Sequence, residues 1–280
     1  MGAFSLIEVL VVVALLSFII IGLVMMFSQT QRAYKLGTTQ VDVLEAGRGA
    51  TDMMTREFSQ MSAANQPNLG DVGAVNCRIT LHNYGPFLQE LPGSAGPGRT
   101  NLLEDVFFLT KENQRWTGIG YSVFDPATGQ WPAGGVGTLY RFETNAYFGQ
   151  PIWELHSSYL NSWYTNANVT RLLDGVVHFR VRAYDTNGVW LTQPVGLNIT
   201  NYYDTSFIRD EPYFTKFYSN AVPASVEIEL GILEERALER VRSIGNLAVR
   251  AEFLRTNSVG KVHLFRWRVP IRNVDPVAYQ

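Results

Sequence analysis

Hydrophobic positions are distributed in three ways along this chain. Residues 9–27, VLVVVALLSFIIIGLVMMF, are nineteen consecutive positions without a charged side chain, long enough to cross a bilayer core as one helix. Beyond them the apolar residues narrow to one face. Val43, Ala46, Gly47, Ala50, Met54, Phe58 and Met61 recur at three- and four-residue spacings, and no proline occurs before Pro67. The pattern predicts a single helix over about residues 5–63. At the helical rise that is about 85 to 90 Å, with the second half laying its stripe on a globular head. Ala46, Gly47 and Ala50 would let a sheet approach closely, whereas Gly22, Gly37, Gly47 and Gly49 each weaken a helix by up to about 1 kcal/mol, so softening is expected near Gly37.

The third regime begins after Met61. Residues 62–101 are rich in Asn, Gly, Pro and Ser and predict irregular loop around one strand, 78–82; 91–98 contain a Gly93 to Gly96 cluster that is a loop rather than a nucleophile elbow. Further strands are predicted at 105–110, 120–124, 139–143, 172–184, 225–233 and 261–271, with helix returning over 234–255. Val177, Phe179, Val181 and Ala183 alternate with His178, Arg180 and Arg182, the pattern of a sheet with one wet surface; Val226, Ile228 and Leu230 repeat it against Glu227 and Glu229. Asp125-Pro126-Ala127-Thr128-Gly129 and Asp185-Thr186-Asn187-Gly188 predict hairpin turns with a left-handed glycine. The fold class is therefore α+β, a long N-terminal helix packed on an antiparallel sheet. Its divisions are 1–3, a leader remnant; 4–28, the apolar helix; 29–64, its amphipathic half; and 65–280, the head.

Composition narrows the function. With 46% hydrophobic residues the chain is not disordered, and one cysteine, Cys77, excludes a disulfide scaffold. The 23 basic and 25 acidic residues lie without blocks and sum to −2, so no footprint for nucleic acid exists. His82, His156, His178 and His263 stand far apart and show no metal-ligand spacing; no Walker loop or dinucleotide fingerprint occurs. Asp185-x-Asn187-Gly188 resembles the opening of a calcium loop, but its twelfth position is Gly196 rather than glutamate, which favours a plain turn. No catalytic, cofactor or metal residues are assigned, and the chain is not read as an enzyme. Tyr202, Tyr203, Phe207, Tyr213, Phe214, Phe217 and Tyr218 crowd one segment, either as a partner surface or as a cap on the core.

One ionisable residue, Glu8, sits at the edge of the apolar run. A carboxylate in lipid costs several kcal/mol unless paired or interfacial, so Glu8 is either functional or an interfacial group steadied by the helix dipole. A cleavable secretory signal would need a basic n-region, a shorter apolar core and a small-x-small site, none of which is present.

The run Ala3-Phe4-Ser5-Leu6-Ile7-Glu8-Val9-Leu10 resembles the prepilin processing signal of type IV pilins and type II secretion pseudopilins. The resemblance implies a prepilin peptidase cutting between Ala3 and Phe4 and methylating the new amine. It also implies that Glu8 pairs with the N-terminal charge of a neighbouring subunit during assembly. Family leaders usually end in Gly and carry basic residues, whereas this one is Met1-Gly2-Ala3 and its nearest positive charges are Arg32 and Lys35. Residues 173–184 followed by Gly188-Val189-Trp190, residues 222–230, and residues 268–273 are similar to head segments of W-type minor pilins and J-type minor pseudopilins. The Verru_Chthon cassette subgroup is a closer likeness. Membership of this kind implies a structural subunit of a pilus-like or secretion filament. Its implied partners are other pilins and the inner membrane, with the head in the periplasm. An adhesin or cargo-binding module on the same anchor is the alternative, and an anchored enzyme a distant third.

Overall fold

The computed structural model describes residues 5–66, 73–89, 98–126, 128–129, 131–132, 134–147, 149–161, 167–192, 198–203, 212–257 and 260–279, apart from the side chains at 35–36, 38–39 and 83–88. Helix α1 (Leu6–Phe58) runs without a break and stays helical through Gly37. Two compact units divide the chain within this helix, Met1–Leu44 and Glu45–Gln280. In the second unit α1 ends at Phe58, short of the expected residue 63, because the chain turns extended: Met61 bridges to Thr110 and the Ser62 N–H donates to the Leu109 carbonyl at 2.9 Å.

The second unit is built on one nine-stranded sheet. Its strands are β1 (Val75–Gln89), β2 (Arg99–Glu112), β3 (Arg115–Phe124), β4 (Gly137–Ala146), β5 (Val169–Tyr184), β6 (Ile199–Tyr202), β7 (Phe214–Tyr218), β8 (Ser225–Leu233) and β9 (Val262–Pro270), in the order β6-β7-β1-β2-β3-β4-β5-β8-β9. Neighbours pair antiparallel along this order. The exception is one parallel bridge, Leu103 to Phe179, where β2 meets β5 beyond the end of the β2–β3 ladder. Helices α2 (Trp153–Asn161), α3 (Glu235–Ser243) and α4 (Leu247–Asn257) complete the unit. The expected strand at 225–233 matches β8, and the expected 234–255 helix is divided at Ile244. The region expected to be irregular instead contains the fifteen-residue β1 and the start of β2; residues 91–97 lie outside the described ones.

Ala50, Met54, Phe58 and Met61 are all buried, as the stripe requires. Phe58 stacks on Phe108 with ring centroids 4.4 Å apart. Gly47 allows the closest approach: a β-carbon there would come within 2.4 Å of Phe265 on β9 and 2.9 Å of Ile232 on β8. Ala46, in contrast, is exposed. Glu57 adds a polar anchor that the stripe did not reveal. It accepts from Tyr121 Oη and from Arg141 Nε at 2.9 Å, and Arg141 in turn reaches Glu143 at 2.6 Å. Elsewhere α2 sets Leu155 and Tyr159 against Phe107 and Phe142, while α3 and α4 pack Leu238, Val241 and Leu254 on Val177 and Leu233.

The second face of β5 is not wet throughout. His178 is buried, because β2 abuts β5 there: its Nδ1 accepts the Leu102 N–H at 3.0 Å and its Nε2 donates to Glu229 at 3.1 Å. Nearby, the Val181 N–H donates to Glu104 at 2.5 Å. Two side chains thus replace the ladder bonds that a single parallel bridge leaves unmade. Farther along this face Arg182 and Arg266 share Glu227 at 3.0 and 2.9 Å, a cross-strand ion ladder.

Candidate functional site

The N-terminal segment is the candidate processing and assembly site. Ala3 and Phe4 lie outside the described residues. Ser5 immediately precedes α1, and its backbone N–H donates to Glu8 Oε2 at 2.9 Å while its hydroxyl donates to the same oxygen at 3.1 Å. The Glu8 N–H returns to Ser5 Oγ at 3.4 Å and to the Ser5 carbonyl at 3.1 Å. This reciprocal pairing is a capping box: it satisfies helix-start donors and holds the carboxylate where the dipole favours it. The Ser5-x-x-Glu8 spacing is the sequence signal for it, masked by the apolar run that dominates this end of the chain.

From Leu6 to Tyr34, 29 residues, α1 is long and apolar enough to cross a membrane, and none of it is buried within the protein. Leu6 and Phe18 are 83% and 75% exposed. The few hydroxyls turn inward on the helix backbone: Ser17 donates to Val13 O at 2.8 Å, Ser28 to Met25 O at 2.8 Å and Thr30 to Met26 O at 2.9 Å. The Ser17, Ser28 and Thr30 hydroxyls are thus satisfied by the helix itself, which is what a hydrocarbon environment demands.

In the head, several residues with catalytic potential have structural partners and others are buried. His82 Nε2 lies 2.8 Å from Asp105, which also accepts from Tyr159 Oη at 2.9 Å, and that hydroxyl meets Ser122 at 2.9 Å. Burial opposes the Asp105 charge, yet His82 and Arg78 hold its carboxyl below the usual range. The chain of bonds evokes acid–base machinery, but Ser122 and Asp105 are 3% and 2% exposed, so it ties β1, β2, β3 and α2 together instead. Burial, with Arg78 and Lys216 nearby, pushes His156 down to about 3 and keeps it neutral. His263 approaches Glu234 at 3.3 Å. Burial raises the Cys77 thiol, which removes its nucleophilic form. Among the described residues, no three His, Cys, Asp or Glu side chains cluster as metal ligands.

Asp185 Oδ1 accepts the Asn187 and Val189 N–H groups at 2.9 and 2.7 Å, and Gly188 has φ +78°, so the calcium-like motif forms a turn. The aromatic segment resolves into two roles. Phe217 and Tyr218 are buried on β7, whereas Tyr202 and Tyr203 remain 52% and 38% exposed at β6, the terminal strand of the sheet. Phe207 lies outside the described residues. Compared with known proteins, the chain matches no family model and no curated protein.

Proposed function

We propose that this chain is a minor-pilin-like or pseudopilin-like structural subunit. In this reading α1 anchors it in the inner membrane with the head in the periplasm. A prepilin peptidase cuts between Ala3 and Phe4 and methylates the new amine. Sibling pilins then build the subunit into a type IV pilus-like or type II secretion-like filament.

One observation carries the reading: the Phe4-Ser5-Leu6-Ile7-Glu8 run opens an unbroken helix whose first stretch is apolar and exposed and whose last turns close the core of an antiparallel sheet. The Ser5 bonds keep Glu8 fixed at the end of the apolar run, where an unpaired carboxylate would otherwise be costly. Pairing with an opposite charge on a neighbour offsets that cost only in register, which makes it a recognition device. A second reading, a binding module on the same anchor, draws on the exposed Tyr202 and Tyr203.

The test is Glu8→Ala in the native host. The variant is expected to insert in the membrane and fold, yet to stop co-purifying with filament components. Normal assembly by Glu8→Ala would remove the charge-pairing role.

A further inference from the structure

The head carries a polar cleft of about 440 Å³ whose lining includes Ser62, Asn65, Lys111, Asn220, Asn273 and Asp275. Four segments distant in sequence build it: the stretch after α1, the end of β2, and the loops after β7 and after β9. Side-chain amides staple them together. Fully buried Asn76 accepts the Ala64 N–H at 2.9 Å and donates to the Ser219 and Ala221 carbonyls at 2.8 Å each. Asn273 donates to the Met61 carbonyl at 3.3 Å and to Ser62 Oγ at 3.1 Å, and Asn220 donates to Asp275 at 2.6 Å.

Backbone strain gathers in the same place. Among the described residues the non-glycine positions with positive φ are Asn65 at 55°, Asn113 at 54° and Ser219 at 54°. Asn65 lines the cleft, Ser219 adjoins Asn220, and Asn113 lies two positions beyond Lys111. The Asn65 N–H donates to the Ser219 carbonyl at 3.0 Å, which locks two of them to each other. Such conformations cost on the order of 1 kcal/mol each and persist where the surroundings over-determine them, as at ligand clamps.

Its unused valences define the ligand. Lys111 Nζ lies 5.1 Å from the Trp116 ring centroid and has no carboxylate within ion-pair distance among the described residues. Asp275 already accepts from Asn220 at 2.6 Å and from the Val277 N–H at 3.0 Å, which fixes its orientation and leaves lone pairs over. Asn65 contributes a free amide and Asn273 a free carbonyl oxygen, again among the described residues. Hydroxyls both donate and accept, so a polyhydroxy ligand satisfies amides and a carboxylate together, while an apolar ligand would strand them. Among the described lining residues Lys111 is the one cation, which matches one anionic group per ligand unit.

We propose that this cleft binds a saccharide unit bearing a carboxylate, with Lys111 pairing with the carboxylate and Asn65, Asn273 and Asp275 taking the hydroxyls. The proposal is independent of the filament reading. Full-length protein in detergent micelles would be titrated with oligogalacturonate, alginate and heparosan oligomers, and with neutral galactan and cellulose oligomers, by isothermal calorimetry. At least one uronic-acid probe is expected to bind, with affinity falling as salt rises. Lys111→Met should weaken it about tenfold or more, and Lys111→Arg should largely restore it. Lys111 is exposed, and an unchanged melting temperature would show that neither substitution disturbs the fold. The proposal is overturned if no uronic-acid probe binds at millimolar concentration. Equal affinity for the neutral oligomers, or binding indifferent to Lys111→Met, would overturn it equally.

Discussion

Residues 6–34 and residues 47–61 belong to one helix and its exit, yet their side chains meet different surroundings. In the first stretch apolar side chains are exposed all round, Leu6, Phe18 and Met26 alike. In the second, burial is confined to one face, where Met54, Phe58 and Met61 are each 0% exposed and Arg48, Asp52 and Arg56 remain in solvent. Apolar content alone does not distinguish a helix that wants lipid from one that wants a sheet. The angular distribution of that content does.

The largest expected effect comes from deleting the second stretch. A fragment beginning at Gln29 retains the whole Glu45–Gln280 unit and should unfold cooperatively. One beginning at Asn65 loses Ala50, Met54, Phe58 and Met61 along with the Glu57 anchor. Three large buried side chains contribute about 5 to 9 kcal/mol together, comparable to the stability of a domain. The Asn65 fragment should therefore aggregate in size-exclusion chromatography. A monomer with a sharp thermal transition would show that the helix is no part of the core.

Charge sharpens the contrast, because the head buries it where the apolar stretch has none. Burial pushes the Glu104 carboxyl up to about 7, against the Val181 N–H and against Arg180 and Arg182. A raised carboxyl favours the fold fully below its unfolded value near 4.5, and that contribution is lost as pH rises to about 7. His156 and His178 act oppositely. Their protonation is disfavoured by burial, so their contribution is present above about 6.5 and lost as pH falls. The comparison of Glu104→Gln with the wild type isolates the first effect. The variant should gain relative stability between pH 4.5 and 7, up to about 3 kcal/mol, and hold it above. A difference independent of pH in denaturant titrations would contradict this assignment.

The smallest effects separate two glycines on opposite faces of one helical turn. A β-carbon at Gly47 would come within 2.4 Å of Phe265 and 2.9 Å of Ile232, whereas nothing lies within 4 Å of one at Gly49. Gly47→Val should cost about 1 to 3 kcal/mol through overpacking, while Gly49→Ala should stabilise the helix by about 0.5 to 1 kcal/mol. The opposite order in melting temperature would place the packed face elsewhere.

Much of this fold was legible in the sequence where a long period reported on it. The unbroken helix, the stripe and strand β8 emerge from spacing alone. Helix α2 did not, since it buries only Leu155 and Tyr159, two positions that establish no period. Strand β7 was hidden by aromatics on both faces, Phe214 and Phe217, and the four-residue β6 is too short to show a period. His178 read as solvent-facing because alternation along β5 is blind to the approach of β2. Glu57 was equally illegible: its partners Tyr121 and Arg141 come from β3 and β4, and only the folded register brings them to the helix. At the start of α1 the Ser5-x-x-Glu8 signal was present, and its capping role became evident from the hydrogen bonds.

The fate of the N-terminus bears most directly on the filament role. Intact-mass analysis and N-terminal sequencing of protein extracted from its native membrane should return a chain that begins at N-methylated Phe4, with Glu8 then its fifth residue. A chain that retains Met1, or one cut within residues 20–35, would contradict the prepilin-like reading.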